Sequence, residues 1–241
     1  TKTNKKKMYF GVDTHDAIVK FQGTEDKKEK QSEISILSEN IENDPENTDL
    51  LLARVNYNKV KNNLESALFD LNQCLQLDSL NSTFHFLVAE IYFELSKKSN
   101  AEAKHPSLAM YHLENSLKLN INDEKSHALL GELLLAYTKY KEAIKHFNAS
   151  LKIEYNQAKT HMLMGYALKK LGQDDDAINC FRNAVNVDPE YKEAFMQLGQ
   201  MFHVRGDTTA IVYYDNALRV DPTDEMILYK KAMFYQSIMQ W

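Results

Sequence analysis

Residues 159–189 read KTHMLMGYALKKLGQDDDAINCFRNAVNVDP, and the pattern of this stretch decides the fold. Apolar residues recur three and four positions apart on both sides of Gly172, as they do along one face of a helix. Glycine readily adopts the left-handed conformation that closes a helix, and the proline of Asp188-Pro189 cannot continue one. The stretch therefore predicts two helices joined by a tight turn, with a stop after the second.

These features recur along the chain with a period of 34 residues. Gly131, Gly165 and Gly199 are each 34 residues apart, and Ala232 follows after 33. Two further series keep the same steps of 34 and 33: Ala143, Ala177 and Ala210, and Phe147, Phe181 and Tyr214. Three series with one period indicate a two-helix unit that repeats, and hence a solenoid instead of a globule around one closed core.

One step of the period is longer than the others. Val55 and Ala89 are 34 residues apart, whereas Ala89 and Gly131 are 42 apart. An insertion of eight residues accounts for the difference, and the polar segment 97–106, which ends in a proline, is its candidate.

The period predicts an all-α fold and divides the chain into segments. The segments are a polar, Lys-rich and mostly irregular tail (1–29), a partial unit (30–47), units 48–81, 82–123, 124–157, 158–191 and 192–224, and a partial unit (225–241). The helix pairs predicted within the units are 48–61 with 64–77, 82–97 with 107–119, 124–138 with 141–153, 158–171 with 174–187, and 192–205 with 208–220.

The opening stretch resembles the tetratricopeptide repeat. It has that family's glycine packed against a neighbouring helix (Gly165), its turn glycine (Gly172), and its alanine at the helix crossing (Ala177). The aromatic residue four positions later (Phe181) and the closing Pro189 also match. The resemblance covers 48–241 well and 30–47 weakly. It implies a right-handed α-solenoid of antiparallel helix pairs, in which small residues lie where helix backbones approach closely.

A solenoid presents surface, and the resemblance implies protein recognition. We expect a non-catalytic scaffold that binds a protein or peptide partner on its concave groove or its edges, within a multi-protein assembly. In arrays of this family the first helix of each unit lines the groove. The groove residues that this implies are Phe86, Glu90, Phe93, Lys125, Glu132, Met162, Tyr166, Lys169, Met196, Gln200, Tyr229 and Met233. For Phe86, Tyr166 and Met196, packing in the core is an equal alternative.

The sequence also argues against several function classes. It has no glycine-rich phosphate loop, and its eight histidines show no ligand spacing that completes a metal site, so we predict no enzyme activity, cofactor or metal. The net charge of −5 is a poor match for nucleic acid. No apolar run reaches the ~18 residues of a transmembrane helix. Cys74 and Cys180 lie more than three units apart, too far for a disulfide, and are interpreted as small buried hydrophobes.

Two alternatives to the scaffold stay open. In the first alternative, the chain is the substrate-recruiting arm of a longer enzyme. In the second, it is a purely structural subunit of a large complex, such as an envelope or secretion complex. The last helix, 225–241, carries more apolar surface than a polar capping helix would. We expect that the protein continues past Trp241 or that this helix contacts a partner.

The sequence leaves two hypotheses for the cellular compartment of the protein. Usage rich in Lys, Asn and Ile, behind a polar start without Met, is typical of the tether of a processed bacterial envelope lipoprotein, in the cell envelope or periplasm. A cytoplasmic assembly factor is the alternative.

Overall fold

The computed structural model describes residues 32–98 and 102–239 of the chain. The predicted tail 1–29 lies outside these residues, as do positions 99–101 of the predicted insertion. The described residues form helices and no strand, which confirms the predicted all-α repeat solenoid. Within the described residues the twelve helices are α1 Glu33–Asn43, α2 Thr48–Val60, α3 Leu64–Leu77, α4 Ser82–Ser96, α5 His105–Leu119, α6 Glu124–Ala136, α7 Tyr140–Ile153, α8 Ala158–Lys170, α9 Asp174–Val187, α10 Lys192–Val204, α11 Thr209–Val220 and α12 Glu225–Met239.

The chain divides into two compact units, residues 1–79 and 80–241. In the described part of the first unit, α2 packs against α1 and α3. Arg54 on α2 donates from Nε and Nη2 to the two carboxylate oxygens of Asp70 on α3, at 2.9 and 2.7 Å, and from Nη1 to Ser38 Oγ on α1 at 3.3 Å. This buried ion pair therefore ties three helices together.

The second unit consists of four helix pairs followed by α12. The pairs are α4 with α5, α6 with α7, α8 with α9, and α10 with α11, and each pair packs against the next. Each of these predicted pairs is confirmed, with ends within two residues of those expected. Two ends differ by two residues: α6 ends at Ala136 instead of 138, and α5 begins at His105 instead of 107 because Pro106 is tolerated in the first turn of a helix.

The recurrent glycines make room for aromatic rings. A Cβ added to Gly131, Gly165 or Gly199 would lie within 2.7 Å of a ring carbon on the second helix of the same pair. The three rings are those of Phe147, Phe181 and Tyr214, and all three are fully buried. The expected reason for these small residues was close approach of helix backbones. The structure shows that two series with the same period, glycine and aromatic, are in contact, and that at Gly165 an added Cβ would also lie 3.2 Å from the backbone oxygen of Ala177.

The turns between paired helices use the left-handed conformation. Gly172 and Gly206 have φ of 74° and 68°, as their places after first helices predict. Asn62 and Thr138 have φ of 58° and 59° at the equivalent positions of other units. Thr138 is β-branched, so its backbone conformation there is strained.

Two hydrophobic clusters fill the second unit. One is formed mainly by side chains of the four helices α4 to α7 and includes Leu113, Leu133 and Phe147. The other is formed mainly by side chains of the five helices α8 to α12 and includes Phe181 and Leu198. No helix in the described ranges is long and apolar enough to span a membrane.

Candidate functional site

The first helices of successive pairs contact one another in the second unit. Helix α4 contacts α6, α6 contacts α8, and α10 contacts α12, in addition to the contacts within pairs. Side chains on these helices therefore share one surface, which is the surface predicted to form the groove.

An open cleft of about 730 Å³ lies between α4, α6, α8 and the turn after α6. Three of the predicted groove residues, Phe93, Glu132 and Tyr166, line this cleft together. The other lining residues are Ser96, Lys97, Pro106, Leu133, Leu135, Ala136, Tyr137, Thr138, Tyr140 and Lys170. We call this feature the aromatic cleft.

Glu132 lies between two ammonium groups at the cleft. Lys97 Nζ is 3.4 Å from one of its carboxylate oxygens, and Lys159 Nζ is 2.7 Å from the other. Lys97 also places Nζ 3.7 Å from the centroid of the Phe93 ring, so one ammonium group contacts both an anion and an aromatic face. Phe93 itself is only 6% exposed and belongs to the hydrophobic cluster beneath the cleft.

Helix α8 also places an ammonium group beside an aromatic ring at the cleft. Lys170 Nζ lies 5.2 Å from the centroid of the Tyr166 ring. Its neighbour Lys169 donates to Gln197 Oε1 on α10 at 3.0 Å. Burial lowers the pKa of Lys169, and the positive charges of Lys170 and Lys230 act in the same direction. This end of the first-helix surface is therefore rich in positive charge.

The other predicted groove residues lie outside the cleft lining. Phe86 is half-buried against the α4–α7 cluster, and Met162 and Met196 are half-buried against the α8–α12 cluster. On α12, Tyr229 is 62% and Met233 42% exposed. Lys125 is exposed, whereas Glu90, Lys169 and Gln200 are half-buried.

Sequence reasoning missed a group of cleft residues that do not sit at groove-facing positions of first helices. Tyr137 and Thr138 come from the α6–α7 turn, Tyr140 is the first residue of α7, and Pro106 comes from the start of α5. The signal that could have found the turn is the period itself, because Thr138 precedes Gly172 by 34 residues and so belongs to the left-handed position of its unit.

The described residues contain no cluster of three or more His, Cys, Asp or Glu side chains suited to a metal ion. Cys74 and Cys180 are both free and buried, in different units of the chain. Burial raises the pKa of each thiol to about 11, and the negative charges of Asp70 and Asp176 respectively add to the effect. Neither thiol is activated as a nucleophile.

Comparisons with known proteins agree with this architecture. Residues 165–206 match a family model described as TPR repeat. The structure is similar to YrrB, described as a TPR protein with an unusual peptide-binding site, with a TM-score of 0.63 at 21% identity over 81% of this chain and 97% of YrrB. It is also similar to the 41-end form of MamA from Desulfovibrio magneticus RS-1, with a TM-score of 0.64 at 20% identity over 74% of this chain and 97% of that one.

A search of curated proteins found no match to this sequence. At the identities of YrrB and MamA, structural likeness concerns the fold alone, and the sequence match adds the family signature. Residues 165–206 therefore carry the sequence pattern of the tetratricopeptide repeat, and the chain has the fold of solved proteins built from such repeats.

Proposed function

We propose that this protein is a non-catalytic scaffold that binds an extended segment of a partner protein in the aromatic cleft. The observation that carries the proposal is the convergence of Phe93, Glu132 and Tyr166 from three successive first helices on one open cleft. A volume of about 730 Å³ lies within the range of roughly 300–1,000 Å³ that is typical of ligand sites.

The charges at the cleft indicate the chemistry of the segment. Lys97 and Lys159 each pair with the carboxylate of Glu132, and Lys170 adds a further ammonium group to the cleft lining. The aromatic rings provide apolar contact area beside these charges. A segment with an acidic side chain next to an apolar one complements this arrangement in charge and in surface.

The comparisons are consistent with a binding role. The tetratricopeptide fold generally serves as an interaction scaffold without catalysis of its own, and YrrB, which shares the fold, is described as having a peptide-binding site. Neither observation identifies the partner of this chain.

The α12 surface supports a second candidate function, that of a structural subunit held through its last described helix. Met226, Leu228, Tyr229 and Met233 on this helix are all exposed, which is a large apolar surface for one helix. The two candidates use different surfaces of the same molecule, so substitutions can separate them.

The test compares two tyrosine substitutions. Tyr166→Ala removes a ring that lines the cleft, and Tyr229→Ala removes a ring that is exposed on α12. Each full-length variant is used to isolate partners from the protein's own cells, and co-purifying chains are quantified by mass spectrometry. The cleft proposal predicts that Tyr166→Ala loses a set of partners which Tyr229→Ala retains. The reverse result would support the structural-subunit function and contradict the cleft proposal.

A charge reversal tests the acidic character of the segment. Lys170→Glu brings a second carboxylate to the cleft, so we expect it to weaken binding of the same partners. We also expect added salt to weaken binding by the unmodified protein, because screening reduces the attraction of exposed charges. Binding that is insensitive to both changes would exclude an acidic segment.

A further inference from the structure

Two pairs of histidines join consecutive helices in the second unit. His85 on α4 and His112 on α5 bring their Nδ1 atoms to 3.0 Å, and His127 on α6 and His146 on α7 bring theirs to 3.1 Å. The ring centroids are 5.2 and 5.3 Å apart, with interplanar angles of 37° and 36°. The positions recur with the repeat, since His112 and His146 are 34 residues apart and His85 and His127 are 42 apart across the insertion. The two pairs are thus one arrangement built twice.

Each pair holds a single proton between its two Nδ1 atoms, because one nitrogen must donate and the other accept. In the second pair the roles are fixed. His127 Nε2 lies 3.0 Å from the carbonyl oxygen of Ile121 and donates to it, so in the neutral ring Nδ1 accepts from His146. Protonation of both rings would place two N–H groups and two positive charges face to face. The contact therefore exists only while at least one ring of the pair is neutral.

The surroundings of the first pair oppose proton binding. Burial lowers the pKa of His112 to about 4, and positive charge on His85 acts in the same direction. The rings of Tyr92 and Tyr111 lie against His112, with centroids 6.0 and 5.2 Å away. The ring of His105 also lies against Tyr92, with centroids 5.9 Å apart.

The second pair has a mixed charge environment. Burial lowers the pKa of His146, and positive charge on His127 and Lys145 acts in the same direction. The carboxylates of Glu142 and Glu114 act in the opposite direction and are the weaker influence. Both pairs thus resist full protonation in the folded protein.

We propose that the two histidine pairs make the α4–α7 part of the array acid-sensitive, so that proton uptake below about pH 6 separates α4 from α5 and α6 from α7. Each pair spans the two helices of one hairpin. Helices α4 and α6 also supply Phe93 and Glu132 to the aromatic cleft, so loosening these hairpins takes the cleft apart. This last consequence, acid-triggered partner release, rests on the proposed function.

The sign of the effect follows from proton linkage. Histidine in an unfolded chain titrates near pH 6.5, whereas these folded pairs take up their last protons at lower pH. Between these limits the unfolded state binds more protons, and stability is lost as the pH falls. For each proton that the folded state excludes, the unfolding constant rises about tenfold per pH unit.

The test measures urea unfolding of the full chain by circular dichroism between pH 7.5 and 4.5. The variant His112→Gln/His146→Gln retains an amide that can donate to the partner ring but does not titrate. His203→Gln is the matched control, because it removes a half-buried histidine on α10 that belongs to neither pair and whose Nδ1 lies 3.2 Å from the hydroxyl oxygen of Tyr214. We expect the unfolding constant of the unmodified protein and of the control to rise steeply below pH 6.5. The unfolding constant of the double variant should rise less steeply, by a factor of about ten or more for each pH unit. Equal pH dependence in all three proteins would overturn the proposal.

Ring-nitrogen NMR of the unmodified protein tests the same claim without any substitution. The proposal predicts that each pair keeps one unprotonated Nδ1 at pH 7.5 and resists double protonation at pH 5.5. Four rings that titrate independently near pH 6.5 would contradict it. Both measurements use the free protein. A failure of the cleft to bind a partner at any pH therefore counts against the proposed function and leaves these results standing.

Discussion

Gly165 on α8 lies against the ring of Phe181 on α9, so closely that a Cβ on Gly165 would be 2.7 Å from Phe181 Cε1. Real Cβ atoms do not approach a neighbour at this distance, so any side chain at this position forces the ring or the helix to move. The same relationship links Gly131 with Phe147 and Gly199 with Tyr214. Glycine and ring together set how closely the two helices of a pair pack.

We predict that Gly165→Ala destabilises the protein by about 1–3 kcal/mol, because a packed core does not accept an extra methyl group without strain. This outcome is informative because alanine alone would favour the helix by about 1 kcal/mol. Urea unfolding gives the change in free energy. Phe181→Leu provides the control background, in which the ring is absent and the added methyl group should cost less. An equal cost in both backgrounds would show that the ring contact is not responsible.

Thr138→Gly should stabilise the protein by about 1 kcal/mol. Its φ of 59° is a conformation that costs a side-chain-bearing residue roughly 1–2 kcal/mol, and glycine's greater freedom in the unfolded chain offsets part of the gain. The neighbouring Lys139, with φ of −81°, is the control. Lys139→Gly relieves no strain and should destabilise. Thermal melts of both variants check the prediction, and a lower melting temperature for Thr138→Gly would contradict it.

The Arg54–Asp70 pair gives a third prediction. The Asp70 side chain is only 2% exposed, so Arg54→Met leaves a buried carboxylate without its ion partner. We expect a loss of about 3–5 kcal/mol. Arg54→Met/Asp70→Leu removes both charges and should recover much of that loss. A double-mutant cycle measured by urea unfolding decides the point, and a double variant as unstable as Arg54→Met would contradict this reasoning.

The two thiols should be unreactive in the folded state. Because burial raises the pKa of Cys74 and Cys180 to about 11, both stay protonated at pH 8. A chromogenic disulfide reagent at pH 8 should label neither thiol at a measurable rate in buffer, and both in urea. Fast labelling of one thiol without urea would show that its helix opens locally or that its environment differs from the one described.

Much of the fold was predictable because the repeat imposes it several times. Gly172 marked a turn, Pro189 marked the end of a second helix, and the 34-residue period carried both signals to the other units, so the helix pairs followed from the sequence. The contact of Gly165 with Phe181 was not predicted. A period shows that two positions recur together, and it does not show that they touch.

The candidate site was predictable only in part. The family resemblance placed Phe93, Glu132 and Tyr166 on first helices, and the structure brings these three together. Tyr137 was missed because a turn has no periodicity from which to assign a face, and Tyr140 because it begins a second helix, where no groove residue was expected. The histidine pairs were missed for a related reason: His127 recurs visibly as His161, but its contact with His146 crosses from one helix to the next.

Photo-crosslinking in cells can show whether a partner protein binds in the aromatic cleft. A benzoylphenylalanine introduced at Tyr137, which is 49% exposed in the cleft lining, is compared with one at Tyr111, which is 56% exposed on the second helix α5. After irradiation of the full-length protein in its own cells, the account predicts a partner chain joined at position 137 and none at position 111. A partner captured at 111 and not at 137 would contradict binding in the aromatic cleft.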